Sequence, residues 1–145
     1  MLRQMLLIAA VLLSALAGRS WTGGPAAAAI TIGGVLIALG VLMLAWAARH
    51  LGASLTPFPA PRARQGAKTT GPYALVRHPM HGAVILLTLG WTIVFATVTG
   101  LVLTVALAVL LDLKSRREEA WLLERVDGYE GYFRRTPRRF LPFVY

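Results

Sequence analysis

Two short segments of the sequence combine side chains that could perform chemistry. The first, residues 71–82, reads GPYALVRHPMHG and holds a tyrosine, an arginine and two histidines. The second, residues 114–122, reads KSRREEAWL and holds three cations beside two adjacent glutamates. Imidazole can move a proton near neutral pH, and the cations and carboxylates can bind charged groups. Taken separately, each segment is equally typical of a membrane boundary, where basic residues collect and Arg–Glu pairs solvate an emerging helix.

Three uncharged runs are the elements that must position these segments: residues 5–17, 26–48 and 80–111. A transmembrane helix needs about 17–25 apolar residues. The second run meets this length. The first is short but extends to Leu2 if Arg3 reaches the headgroups; its apolar core and the small residues 15–17 also resemble a cleavable signal peptide. We expect an uncleaved span, with the signal peptide as the alternative.

The third run predicts a helical hairpin. As one straight helix its 32 residues would extend about 48 Å, whereas the hydrocarbon core of a bilayer is about 30 Å thick. The segments on both sides of it are strongly basic, which favours the cytoplasm for both. The chain must then cross an even number of times, and we place the turn at residues 97–100, where Gly100 would permit the reversal. Each arm is slightly short for a span.

These features predict an all-α integral membrane protein with about four transmembrane helices, a C-terminal helical hairpin and a cytoplasmic amphipathic helix. The charge pattern is typical of a bacterial inner (cytoplasmic) membrane protein with both termini in the cytoplasm. We treat the chain as one membrane domain with four parts: two N-terminal spans (1–48), a basic, proline-rich cytoplasmic loop (49–79), the transmembrane hairpin (80–113), and a cytoplasmic or interfacial helix and tail (114–145).

The last of these parts predicts a lipid contact. Trp121, Leu122 and Val126 recur at helical spacing, and Gly128 is expected to end that helix. The tail after it alternates aromatic and basic residues. On a soluble protein such a tail suggests RNA binding, but beside a membrane it favours an interfacial anchor to acidic headgroups. The lipid bilayer is therefore an expected partner and nucleic acid is not.

Composition excludes several classes of protein. The 145 residues are 57% hydrophobic and only 14% charged, with a net charge of +9 and no cysteine. Disordered chains, coiled coils, thiol catalysis and cysteine-ligated metals do not fit. The phosphate-binding signatures GxxxxGK[ST] and GxGxxG and the zinc motif HExxH are missing, so we expect no metal site. His50 is expected to be interfacial, and glycines 33, 34 and 40 to permit close helix packing.

The order of the motifs resembles the isoprenylcysteine carboxyl methyltransferase and phospholipid methyltransferase family. The pattern GPYxxxRHPxxG is followed, after a hydrophobic hairpin, by RREExxL and then by tyrosines, prolines and an arginine in the tail. The resemblance covers about residues 51–142. It implies an integral membrane enzyme that uses S-adenosylmethionine without a Rossmann domain, which agrees with the missing glycine fingerprint.

The resemblance also implies site residues. Those that it assigns to the cofactor S-adenosylmethionine are Gln65, Gly66, Ala67, Lys68, Tyr73, His78, Pro79, Met80, His81 and Glu118. Those that we assign to catalysis are His81, Lys114, Arg117 and Glu118. The chain departs from the family twice: His81 stands where a tyrosine is usual, and Lys114 stands where prenylcysteine enzymes have a substrate-orienting arginine. Arg116 or Arg117 is a possible replacement for that arginine.

The sequence does not identify the methyl acceptor. A carboxylate needs only a cation to orient it, whereas an amine or thiol must lose a proton, for which His81 or His78 would serve as base. We expect a lipophilic acceptor: an isoprenylcysteine-like carboxylate, a phospholipid amine or a small hydrophobic molecule. The alternatives are a non-catalytic membrane scaffold with the same hairpin and, less favoured, a small transporter, since no span has an ionisable residue at its middle. The oligomeric state is undecided, with a homodimer as one option.

Overall fold

The computed structural model describes residues 2–18, 21–22, 25–52 and 69–142. Every regular element within these ranges is helical, which confirms the all-α class. The helices are α1 (Leu2–Ser14), α2 (Pro25–Leu51), α3 (Pro79–Val94), α4 (Val98–Arg125) and α5 (Tyr129–Arg135). A 3-10 turn, Ala15–Ala17, follows α1, and another, Gly71–Ala74, precedes α3.

Two of the helices, α2 and α4, are long and apolar enough to cross a membrane. The helical stretch Leu2–Ala17 and α3 are apolar but shorter. Large apolar side chains such as Leu6, Leu42 and Val102 point outward and are 59–66% exposed, which suits a surface that faces lipid. Two apolar helices therefore indicate membrane association, and the expected four crossings remain a prediction.

Helices α2 and α3 touch through their backbones at a pair of glycines. A Cβ atom added to Gly33 would lie 2.7 Å from the carbonyl oxygen of Gly90, and one added to Gly90 would lie 2.6 Å from that of Gly33. Farther along α2, a Cβ on Gly40 would lie 3.0 Å from the Ala83 carbonyl oxygen. The expected role in close packing is confirmed for Gly33 and Gly40, because no larger side chain fits between the helices there, and it is wrong for Gly34, which has open space around its Cβ position.

We expect Gly33→Ala to destabilise the protein by about 1–3 kcal/mol, because the added methyl group must push two backbones apart. Gly34→Ala is the matched control: nothing lies within 4 Å of its Cβ position, and alanine is favoured over glycine in a helix by up to about 1 kcal/mol. Thermal unfolding of both variants in the same detergent measures the contrast. Equal melting temperatures for the two variants would contradict the packing.

The reversal between α3 and α4 lies at residues 95–97, earlier than predicted. Ala96 takes the positive φ of 47° there, and Thr97 caps α4 by accepting a hydrogen bond from the Gly100 backbone at 3.1 Å. The prediction that Gly100 makes the turn is wrong. Gly100 lies inside the first turn of α4, and its missing side chain leaves room for Ser14 and Thr92.

The second arm of the hairpin and the amphipathic segment that follows it form one helix. Helix α4 runs without interruption through residues 113 and 114 and ends at Arg125, three residues before the expected end at Gly128. Gly128 has a φ of 77° and instead begins α5. One continuous helix therefore carries the apolar core contacts and the polar cluster, which fixes their relative rotation.

The tail folds back onto the protein. Tyr129, Tyr132 and Phe140 are at most 5% exposed, and Phe140 joins Leu107 and Leu111 of α4 in the central core cluster. These aromatic rings pack inside the protein, so the predicted use of the tail's aromatic residues as an interfacial anchor is wrong for these three. The basic side chains of the tail are mostly outside: Arg134, Arg135 and Arg138 are exposed.

Candidate active site

The first polar cluster is positioned by the start of α3. Pro79 is the first residue of the helix and His78 is its N-cap, a placement that suits proline because the first turn needs no backbone donor there. The preceding 3-10 turn begins at Gly71, which has a φ of 62° and lies directly against the His50 ring. His50 itself is held at 3.0 Å from the Trp46 carbonyl oxygen.

The C-terminal strap, residues 136–142, forms backbone hydrogen bonds with the residues that precede α3. The backbone N–H of Arg77 donates to the Arg138 carbonyl at 3.0 Å and that of His78 to the Arg139 carbonyl at 2.8 Å. A Cβ on Gly82 would collide with the Phe140 carbonyl oxygen. The glycine at the end of the RHPxxG pattern is therefore needed for the approach of the strap to α3.

The second cluster lies on one face of α4. Leu111, Ser115, Glu119 and Leu122 are all buried, and their spacing of four, four and three residues places them on one stripe. Glu119 is 3% exposed and Ser115 is fully buried. The first polar cluster packs against this stripe, so the two segments that the sequence singles out face each other, as predicted.

A buried ionic cluster joins them; it comprises Arg77, His78, Asp112, Glu119 and Arg139. Glu119 Oε1 accepts from Arg77 Nε at 2.7 Å and from His78 Nε2 at 3.1 Å. Arg139 donates to Glu119 Oε2 at 2.9 Å and to Asp112 Oδ1 at 2.6 Å. Burial disfavours the charge of Arg139, but its bonds to Glu119 and Asp112 outweigh this and raise its pKa. Each of the two carboxylates is therefore compensated by at least one guanidinium group.

Arg77 also fastens the tail to this cluster. Its Nη1 donates to the Thr136 carbonyl oxygen at 2.6 Å, and its guanidinium carbon lies 4.3 Å from the centre of the Phe133 ring. The Tyr132 hydroxyl donates to the Tyr73 carbonyl oxygen at 2.7 Å. Burial raises the pKa of Tyr132 and that of Tyr73 to about 12 each, and the Glu118 charge adds to the rise at Tyr73. Both phenols therefore stay neutral at physiological pH.

The two histidines beside this cluster are stacked. Their ring centres are 5.4 Å apart with 7° between the planes, and the Phe140 ring meets both edge-on at 6.4 and 6.2 Å. His78 points to Glu119, whereas His81 Nδ1 lies 3.0 Å from the Ser115 hydroxyl. The ionic cluster thus holds one imidazole, and the helix stripe holds the other.

The sequence-predicted site residues are only partly gathered by the fold. Tyr73, His78, Met80, His81 and Glu118 are half-buried around the junction of α3, α4 and the strap, and Pro79 is buried. Gln65, Gly66, Ala67 and Lys68 lie outside the described residues. Glu118 makes no hydrogen bond or ion pair with any described residue and yet is close enough to raise the pKa of Tyr73.

The predicted cations differ in their surroundings. Lys114 faces inward, donates to Gln4 of α1 at 3.1 Å and interacts electrostatically with His81. Arg117 is exposed. Arg116 is bound to Asp112 at 2.7 Å, so the suggestion that it replaces the family's orienting arginine is not supported by its contacts. The polar quartet comprises Gln4, His81, Lys114 and Ser115, which are joined by the contacts of Lys114 and His81.

An apolar cavity of about 310 Å³ begins next to the polar quartet. On α3 its first lining residue, Val84, is one turn beyond His81, and on α1 its first, Ile8, is one turn beyond Gln4. The indole N–H of Trp91, at the far end, has no hydrogen-bond partner in the described part of the chain. The lining residues are Ile8, Leu12, Ile37, Val84, Leu87, Thr88 and Trp91.

Sequence reasoning missed Glu119, Arg139, Ser115 and Phe140. It selected Glu118, the first glutamate of the pair, by resemblance. The helical stripe that contains Leu111, Ser115 and Leu122 was available as a signal and points to Glu119 as the buried carboxylate. Nothing local to the sequence indicates Arg139 or Phe140, because their partners are brought to them only when the tail turns back.

The comparison with known families decides the assignment of the chain. The model of the family described as phospholipid methyltransferase matches residues 28–127. The protein belongs to the phospholipid methyltransferase family. The match covers both polar clusters and the helices α3 and α4 that carry them. No curated protein matches the chain.

Membership of this family indicates the general class of reaction. The protein is a membrane-associated methyltransferase by family, and S-adenosylmethionine is the methyl donor that the family suggests. Among the described residues, no group of three or more His, Cys, Asp or Glu side chains could hold a metal ion.

Proposed function

We propose that this phospholipid methyltransferase family member transfers a methyl group from S-adenosylmethionine to a lipophilic acceptor at the membrane boundary. The observation that carries the proposal is the junction itself. Glu118 is a half-buried carboxylate with no hydrogen-bond or ion-pair partner among the described residues, and it lies close enough to Tyr73 to raise the pKa of that phenol. An apolar cavity begins at Val84, one helical turn beyond His81. A charged donor and an apolar acceptor would each have a suitable surface.

The residues present fit S-adenosylmethionine. Glu118 is half-buried and has no partner among the residues that the structure describes. An ammonium or ribose hydroxyls of a ligand would supply the hydrogen bonds that compensate for its lost solvation. Neutral Tyr73 and the rings near it offer faces for a sulfonium. When bound, the donor supplies a methyl group on a positively charged sulfur. The protein's task is then to align the acceptor and to exclude water.

The acceptor would lie in the cavity with its reacting end at the polar quartet. From Val84 to Trp91 the cavity follows about 10 Å of helix α3, since each residue rises 1.5 Å. That length suits part of an acyl or isoprenoid chain, which would enter sideways from the bilayer between α1, α2 and α3. Lys114 and His81 would meet the polar end.

We further propose four crossings of a bacterial inner membrane, with the site and both termini in the cytoplasm. This orientation is supported by the exposed arginines of the tail, Arg134, Arg135 and Arg138, which the positive-inside rule assigns to that side. The chain has no cysteine, so single-cysteine variants at Thr22 and at Arg138 can be labelled from one side of intact cells. Labelling of both positions from the outside would contradict the orientation.

Saturable binding of S-adenosylhomocysteine to the purified protein in detergent tests the proposal, and membranes incubated with a radiolabelled methyl donor reveal the product. We expect binding and a labelled, organic-extractable lipid. The rival is a non-catalytic scaffold, for which the ionic cluster would be purely structural. A folded protein that binds neither S-adenosylmethionine nor S-adenosylhomocysteine would favour that rival.

A further inference from the structure

The hydrogen bonds around Glu119 fix the proton on His78. Glu119 accepts from Arg77, Arg139 and His78, and a carboxylate held by two guanidinium groups is ionised and only accepts. His78 Nε2 must therefore carry a proton. With its ring held in this way, His78 is oriented by the ionic cluster and is committed to Glu119.

The surroundings of His81 differ from those of His78, which contacts an ionised carboxylate. Its ring lies parallel to that of His78, and the Lys114 cation faces it from α4. The uncharged Phe140 ring of the strap meets both imidazole rings edge-on. Burial of the ring and the nearby Lys114 cation both disfavour a positive charge on His81. No carboxylate contacts His81 in the described residues, so its neutral form is favoured.

We propose that Ser115 is a positioning residue that holds His81 with Nδ1 protonated and leaves Nε2 free to remove a proton from the methyl acceptor. The 3.0 Å contact joins Nδ1 to the hydroxyl oxygen, and a hydroxyl can accept from Nδ1–H both before and after Nε2 is protonated. The imidazole then needs no rearrangement during the reaction. Ser115 is fully buried and contacts Nδ1 directly.

The consequence, which rests on the proposed function, concerns the acceptor: its reacting atom carries a proton, as in an amine, a hydroxyl or a thiol. That atom forms a bond to the methyl carbon while the carbon–sulfur bond breaks and its electron pair stays on sulfur. The acceptor's proton passes to His81 Nε2. A carboxylate acceptor would have no use for this base, because it is already deprotonated.

Nitrogen-15 spectra of the histidine side chains test the assignment without any turnover. The chain has three histidines, and His50→Gln and His81→Gln variants assign them. We expect opposite tautomers for the two stacked rings, with the proton on Nε2 of His78 and on Nδ1 of His81. We expect Ser115→Ala to move the His81 proton to Nε2, and Ser115→Thr, which keeps the hydroxyl, to restore it. A His81 proton on Nε2 in the unaltered protein would overturn the proposal.

Kinetics with two lipids test the consequence. Vesicles of dioleoylphosphatidylethanolamine offer an amine as acceptor. Vesicles of dioleoylphosphatidylcholine that contain oleic acid offer a carboxylate on the same acyl chain. We expect methylation of the amine, and in Ser115→Ala a loss of about tenfold in kcat with unchanged KM and S-adenosylhomocysteine affinity, since a base contributes much more than that when aligned. Methylation of oleate at an undiminished rate in Ser115→Ala would overturn the inference. Failure to bind S-adenosylhomocysteine would instead contradict the proposed function. The nitrogen-15 spectra would still test the tautomer assigned to His81.

Discussion

Replacing Glu119 with alanine should destabilise the folded protein by about 3–5 kcal/mol. The substitution leaves Arg77 and Arg139 buried without their shared carboxylate, and it removes the acceptor of His78 Nε2. Removing one partner of a buried charge cluster costs more than the cluster itself contributes, because the remaining charges lose their compensation and stay desolvated. The measurement is the free energy of unfolding in detergent, followed by tryptophan fluorescence.

The control is Glu130→Ala in α5. Glu130 and Arg134 form an ion pair of the same length as the pair of Arg77 with Glu119, 2.7 Å, but their side chains are 67% and 78% exposed. Solvent screens such a pair, so the loss should be about 0–1 kcal/mol. Similar losses for Glu119→Ala and Glu130→Ala would show that the ionic cluster is solvated and that the described burial is wrong.

The neighbouring substitution, Glu118→Ala, should have the opposite profile. We expect the affinity for S-adenosylhomocysteine to fall by about 10–100-fold, since a hydrogen bond to a charged group contributes about 1.5–3 kcal/mol and each 1.4 kcal/mol is a factor of ten. The melting temperature of the ligand-free protein should stay nearly the same, because Glu118 has no partner among the described residues to lose. Calorimetric titration measures the affinity.

Glu124→Ala serves as the matched control for this experiment, because Glu124 lies farther along the same helix and is exposed. Its removal changes the net charge of the protein by the same amount but should leave the affinity unaltered. If Glu118→Ala binds S-adenosylhomocysteine as tightly as the unaltered protein, Glu118 does not bind the donor. The role proposed for the first glutamate would then be incorrect.

The elements of the fold could be predicted from the sequence because they depend on local patterns. Long uncharged runs predict helices, and the run at residues 80–111 predicts two of them because it is too long for one; the structure has α3 and α4 there. The turn between them was misplaced. Glycine suggested residue 100, but the helix capping of Thr97 and the room that Ser14 needs beside Gly100 assign a different role to that glycine.

The two adjacent glutamates show which part of the site the sequence could not predict. Both carry the same charge and are adjacent in the sequence, but successive residues in a helix point about 100° apart. Glu119 therefore faces the core and Glu118 its margin. The sequence restricts the choice to this pair, and the rotation of α4 against α3 decides which member becomes the buried ion-pair partner.

The sequence by itself determined that the chain is helical and apolar and that two polar clusters, near residues 78 and 118, would meet. These conclusions follow from residue types and helical periodicity, which act over a few residues. Only the tertiary structure decided that Arg139 and Phe140 complete the site and that Ser115 contacts His81. Those contacts join residues from separate segments, and their geometry depends on how the helices rotate and how the tail returns, neither of which is encoded in any local pattern.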